Sequence, residues 1–116
     1  MHAVPEFHRS GYLLCRLPAI LHVDSSMEVI DEVERLSVWS TWIIADLSAV
    51  EFLDSSGVSI LVWAQRRLRA LGGGLVLARP SAATCASPFF ARSVGQFQIY
   101  ASLDDVPDRP RSLQAP

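Results

Sequence analysis

The sequence predicts an α/β domain: a mixed central β-sheet of four to five strands with flanking helices, a short C-terminal helix and a disordered tail. Three observations carry this expectation. Apolar runs of strand length at 42–47 and 75–78 show no polar alternation, the pattern of strands covered on both faces. Between them, over 56–71, the apolar period becomes helical. Strand and helix patterns alternate along the rest of the chain, which favours parallel strands joined by right-handed crossovers.

Each element follows from local chemistry. Residues 3–8 and 11–17 read as two short strands around a turn at Ser10-Gly11, and Pro18 ends the second. Ser25 with Glu28 three residues on has capping-box spacing, and Val29, Ile30, Val33 and Leu36 then recur on one helical face. In the 56–71 helix, Val58, Leu61, Ala64 or Gln65, Leu68 and Leu71 form the core stripe, with Ile60 and Trp63 off it. Arg66, Arg67 and Arg69 load its last turns, and Gly72-Gly73-Gly74 stops it. Pro80-Ser81 opens another helical stretch, which Pro88 breaks; Ser87 caps a second segment beginning at that proline. Gly95 closes this segment, 97–100 forms a last strand, and 102–106 makes one capped helical turn. One domain over 1–106 is expected, with 107–116, rich in proline, as the tail.

Composition narrows the function classes. A net charge of -2 with 19% charged residues gives no electrostatic footprint for nucleic acid, so no direct nucleic-acid partner is expected. A mean hydropathy of +0.26 fits either a well-filled core or apolar surface kept for a partner. The N-terminus lacks the basic flank and apolar stretch of a signal peptide, and the apolar runs at 42–45 and 60–64 are too short to span a bilayer. We therefore expect a cytoplasmic protein without membrane insertion. Cys15 and Cys85 stand in no metal or redox spacing and read as buried, reduced thiols.

The chemistry concentrates at Asp54-Ser55-Ser56-Gly57, where the connection from a buried strand enters the long helix. The N–H groups of a first helical turn are unpaired and the dipole end is positive, so a serine there is a favourable place for a phosphoryl group. The same residues also suit a plain N-cap by Asp54 or Ser55, and spacing alone leaves both roles open.

The run Asp46-Leu47-Ser48-Ala49-Val50-Glu51-Phe52-Leu53-Asp54-Ser55-Ser56-Gly57-Val58, followed by Gly73-Gly74-Leu75-Val76-Leu77, resembles the signature of STAS domains, and most of all the bacterial anti-sigma factor antagonists. The likeness runs from about Tyr12 to Asp105. It implies the STAS fold and a non-enzymatic phosphoprotein of transcription regulation. In that family the serine after the aspartate, here Ser55, is phosphorylated by an anti-sigma factor that is also a serine kinase. The unphosphorylated antagonist binds the kinase and frees a sigma factor; the phosphorylated form lets go, and a protein phosphatase resets it. Asp54, Ser56 and Gly57 shape the helix entrance, and His22, Asp24 and Ser59 are candidate partner contacts; Trp63, off the core stripe with arginine nearby, is either a further partner anchor or packs under the neighbouring helix or the 48–53 loop. A homodimer is compatible with the sequence, which does not determine the oligomeric state.

Two positions depart from the family pattern. The second strand there leads into a Gly-Glu-Leu-Asp-like stretch whose acid helps the kinase contact; here the residues are Ala19-Ile20-Leu21-His22, with Asp24 as the candidate replacement. The C-terminal helix is cut short by Pro107. The alternative function is therefore a STAS subunit that is not phosphorylated, clamping an ATPase in an ABC lipid-transport assembly or scaffolding a stress-signalling complex.

A phosphoryl group adds close to two negative charges. With a carboxylate about 6 Å away, repulsion at an effective dielectric of roughly 20–40 is about 3–6 kcal/mol, or about two to four decades of affinity. Other chemistries fit poorly. No Gly-x-Ser-x-Gly elbow surrounds Ser55, and His2, His8 and His22 carry no partnering signal for hydrolysis. The glycine triplet ends a helix rather than opening one, so it is no phosphate-binding loop. Asp46 and Asp54 lie at opposite ends of one segment. No catalytic residue, cofactor or metal is expected.

Overall fold

A computed structural model of the chain describes residues 4–111. In chain order it has β1 (Leu13–Arg16), β2 (Ile20–Leu21), α1 (Ser26–Ser37), β3 (Trp42–Asp46), β4 (Phe52–Leu53), α2 (Ser55–Ala70), β5 (Gly74–Ala78), α3 (Ala82–Ala86), α4 (Pro88–Ala91) and β6 (Ile99–Tyr100). Single 3-10 turns occupy Val23–Ser25, Val94–Gln96 and Leu103–Asp105. The main sheet has the order β1-β3-β5-β6 with every neighbouring pair parallel. β2 and β4 pair separately, also in parallel.

The expected α/β architecture is present, with three differences of detail. The Ser10-Gly11 turn forms, with Gly11 at a φ of +91° and the His8 N–H donating to Tyr12 O at 2.8 Å. The strand expected over 3–8 reduces, among the described residues, to one antiparallel bridge between Phe7 and Leu13. Pro5 has no N–H to extend that ladder. The sequence placed 48–53 in a connecting loop, yet Phe52–Leu53 forms β4. The helix-start box also moves: Ser25 makes no cap through its side chain to α1. Instead His22 Nδ1 accepts the Asp24 N–H at 3.0 Å, while Ser25 Oγ accepts the His22 N–H at 2.9 Å. The chain thus enters a 3-10 turn one step earlier and runs from it into α1.

Alternation along the strands sorts the core into two faces. Leu13, Cys15, Ile43, Ala45, Leu75 and Leu77 pack with Val29, Val33 and Leu36 of α1 and with the buried side of α2. Ile60 joins this cluster at 5% exposure, so the buried stripe of α2 is wider than its period suggested; Leu71, at the C-cap, is exposed instead. Tyr12, Leu14, Ile44, Val76 and Ala78 face the other way, where their cover comes from Val106 with Trp42, Tyr100 and Leu103 rather than from a long helix. Residues 107–111 carry no helix or strand, and the Arg109 N–H donates to Ser10 O at 2.8 Å. The tail expected over 107–116 continues into 112–116, which lie outside the described residues, as does His2.

The α2–β5 connection is set by glycine. Gly72 adopts a φ of +88°, the Gly72 N–H donates to Arg69 O and the Gly73 N–H to Leu68 O, a double closure of the helix end. A Cβ on Gly73 would lie 1.9 Å from Thr41 O, so the crossing of these backbones admits no side chain. Glu34 of α1 and Arg67 of α2 join the two helices by a bidentate ion pair at 2.6 and 3.1 Å.

At the carboxyl end of the sheet, Asp46 has a side chain only 1% exposed. It accepts from Arg16 at 3.1 Å, from the Ser48 N–H at 3.0 Å and from both arms of Arg79. Burial pushes the Asp46 carboxyl up, but the hydrogen bonds of Arg79 and Ser48 and the Arg79 charge outweigh it and leave the pKa below the ordinary carboxylate range. Cys15 is buried as expected, and burial pushes its thiol up to about 12; Cys85, expected buried, is exposed on the short α3.

Two predictions follow from these placements. Asp46→Asn is expected to cost about 2 kcal/mol in denaturant unfolding at pH 7, because the amide leaves Arg79 without its charge partner and Arg16 with only its exposed pair to Glu6. The native pKa lies below the unfolded carboxylate value of about 3.9, so this contribution is complete above that value and is lost as pH falls through the native pKa. The variant should therefore lose less stability on acidification than the parent; identical acid limbs would remove Asp46 from this role. With a thiol reagent at pH 8, one thiol should react in the folded protein and the second only on unfolding, with Cys85→Ser abolishing the fast phase.

Candidate functional site

The small β2–β4 sheet builds the site. Its register sets Leu21 beside Leu53, so the next residues, His22 and Asp54, leave the sheet as neighbours, each capping the start of a helical segment. Asp54 is extended (φ −113°, ψ −167°), and its Oδ1 accepts the Gly57 N–H at 3.0 Å. Ser55 is then the first residue of α2 and is exposed, while Ser56 is half-buried. Gly57 is buried because β2 passes over it: an added Cβ would sit 2.3 Å from Leu21 O. The same carbonyl receives the Asp54 N–H at 3.5 Å.

Two serine caps hold this edge from behind. Ser81 accepts the Thr84 N–H at the start of α3 and donates to Val50 O at 2.6 Å. Ser87 accepts the Phe90 N–H at the start of α4 and donates to Leu53 O at 3.1 Å. The break at Pro88 that the sequence predicted thus supplies the second cap, and both caps bind the backbone leading to Asp54. The Glu51 and Phe52 N–H groups donate to Ala19 O at 2.7 and 3.1 Å, closing the link between the two short strands.

The exposed surface around Ser55 combines apolar and cationic groups. Ile20 and Phe52 are register partners on β2 and β4 and are each about half exposed, at 49% and 50%; Val23 is more so. The His22 ring stands edge-on to Phe52 with centroids 6.2 Å apart. The Asp24 side chain projects into solvent, its carboxylate 3.8 Å from His22 Nδ1. On α2, Ser55, Ser59, Trp63 and Arg66 follow one another at helical spacing. Ser59 Oγ donates to Ser55 O at 3.0 Å, and Trp63 is half-buried, packed on the core and lining a hollow of about 330 Å³ with Ser59 and Arg66. A second hollow of about 170 Å³ is shared by Ser55, Val58, Phe89, Arg92 and Ser93.

The residues expected at the site therefore divide. Asp54, Ser55, Ser56, Gly57 and His22 come together at one helix entrance, Asp24 stands beside His22, and Ser59 and Trp63 continue from Ser55 along α2. The sequence reading missed Ile20, Phe52, Phe89 and Arg92. Two-residue strands and one-turn helices are too short to show a period, so no pattern pointed to those four. Among the described residues no cluster of three or more His, Cys, Asp or Glu could hold a metal ion, and no helix is long and apolar enough to cross a membrane.

The fold, a parallel sheet with its long helices on one face, is one that comparison with known proteins places. The model of the STAS domain family matches residues 7–105, and the chain belongs to that family. A solved structure from Thermotoga maritima, titled as a candidate anti-sigma factor antagonist, superposes with a TM-score of 0.66 over 88% of each chain, at 17% sequence identity. At that identity the likeness establishes the shared fold. No curated protein matches the sequence significantly.

Gly57→Ala is expected to destabilise the domain by about 1–3 kcal/mol through the clash with Leu21 O. Gly95→Ala, whose added methyl meets nothing within 4 Å, should stay within about 0.5 kcal/mol of the parent. Thermal or urea unfolding of the pair checks both; equal stability would show that β2 does not press on the helix entrance.

Proposed function

We propose that this STAS domain is a non-enzymatic anti-sigma factor antagonist, switched by phosphorylation of Ser55. The unphosphorylated protein binds an anti-sigma factor that is a serine kinase and so releases a sigma factor. The kinase transfers the γ-phosphoryl of ATP to Ser55 Oγ, forming the O–P bond with loss of the hydroxyl proton and release of ADP. A protein phosphatase hydrolyses the ester and restores binding.

The observation that carries this reading is the exposed Ser55 at the first position of a 16-residue helix, just after the strand that holds Phe52, itself paired with Ile20. Solvent access lets a kinase reach the hydroxyl, and the positive helix end tolerates the product dianion. A partner seated on Ile20 and Phe52 would cover Ser55, and two added charges in a covered surface oppose that contact. His22 is consistent with the switch. It keeps the capping function that a carboxylate serves at such a position, through Nδ1 on the Asp24 N–H, while Asp24 supplies an exposed acid two residues on. Ser59 and Trp63 extend the contact along α2.

Intact-mass measurement after incubation with source-cell lysate and ATP tests the modification. One phosphoryl addition is expected on the parent and none on Ser55→Ala. Ser55→Asp should bind the kinase at least about tenfold more weakly than the parent, since one added charge of this kind opposes burial by over 1 kcal/mol. No addition with the cognate kinases supplied would refute the switch and leave a phosphorylation-independent clamp or scaffold as the function.

A further inference from the structure

We infer that Arg92 of the same chain holds the phosphate on Ser55, latching the N-terminus of α2 to α4 in the phosphorylated protein. The inference rests on the phospho-switch proposed above and adds the residue that receives the charge.

Three observations support it. Ser55, on α2, and Arg92, at the end of α4, line one hollow of about 170 Å³. Arg92 is the sole charged residue of that lining, so no carboxylate competes for it there. Its guanidinium has no ion pair among the described residues and rests on the face of Phe89, 5.4 Å from the ring centroid. Among the described residues, Arg16, Arg35, Arg67 and Arg79 are committed to carboxylates; Arg66 is not, but it lines the neighbouring hollow with Ser59 and Trp63, so it is the hollow shared with Ser55 that singles out Arg92.

A contact of this kind with an aromatic face is weak at an exposed position, whereas a planar guanidinium meets a phosphate through paired, charge-assisted hydrogen bonds. Phosphorylation therefore exchanges the Phe89 contact for a stronger one. The consequence reaches the partner surface. The phosphate fills the hollow between α2 and α4, and Arg92 ceases to be available to a partner carboxylate. Switching off then combines repulsion with the removal of a cationic contact. Asp54, the residue before Ser55, acts in the opposite sense on the phosphate.

The test uses the full chain with phosphoserine installed at position 55 during translation, so it requires no kinase. The second ionisation of the phosphoserine is followed by phosphorus NMR at low salt in the parent, Arg92→Lys and Arg92→Ala. Asp54 is common to all three, so differences report on position 92. The parent is expected to ionise about half a unit to one unit lower than Arg92→Ala, with Arg92→Lys between them. The Arg92 Nε–H resonance should shift and gain protection from exchange only when Ser55 is phosphorylated. Coincident titrations in the three proteins, with an unmoved Arg92 signal, would overturn the latch. That result would leave the switch itself standing, whereas failure of Ser55 to be phosphorylated by cognate kinases would remove the switch without altering this measurement.

Discussion

Asp46 sits at the carboxyl end of β3 with almost no solvent access, a position a carboxylate keeps only when its charge is matched. The match comes from the neighbouring strands: Arg16 ends β1, and Arg79 follows β5. One side chain thereby ties together the ends of three strands, and from those ends depart the connections to β2, to β4 and to α3. Arg79 makes its contact at a φ of +53°, a backbone region that costs a residue with a side chain about 1 kcal/mol. The two guanidinium bonds to a buried carboxylate outweigh that cost. The Leu47 N–H to Ala78 O and Arg79 N–H to Tyr100 O bonds, both 2.9 Å, fix the same edge from the backbone.

Beyond that edge the chain rises into the β2–β4 layer, and the site inherits its rigidity from short contacts rather than from bulk. Gly57 brings α2 against the Leu21 carbonyl, and the caps at Ser81 and Ser87 hold Val50 and Leu53 in place. Each of these donors or acceptors serves twice, at a helix start and on the backbone beneath the site. The helix entrance is thus held in place by contacts within the chain, so in the function proposed above a partner would meet a surface that is already formed.

The switch proposed above draws on that arrangement. Under that proposal the half-exposed pair Ile20 and Phe52 would supply burial to a partner, and Ser55 would offer the hydroxyl to be modified. The helix end favours an anion by geometry alone, and Arg92, which lines the same hollow as Ser55, would give that anion a specific counter-charge. Attraction within the chain and repulsion toward the partner would then act in the same direction.

The sequence by itself determined the alternation of strands and helices, the two-sided burial of the runs at 42–47 and 75–78, the glycine stop after α2, the break at Pro88 and the helix entrance at Asp54-Ser55. These rest on periods of several turns or on residues with few allowed conformations, and both signals are local. The tertiary structure alone decided the rest. It made β2 and β4 a sheet, since two residues on each side carry no period and pair only because distant segments meet. It moved the capping box from Ser25 to His22, where backbone entry from β2 selected between two closely spaced capping acceptors. It buried Ile60, released Leu71, exposed Cys85 and brought Arg92 and Ser55 to one hollow, because surroundings at those positions depend on which element packs alongside and not on the residue's own neighbours in the chain.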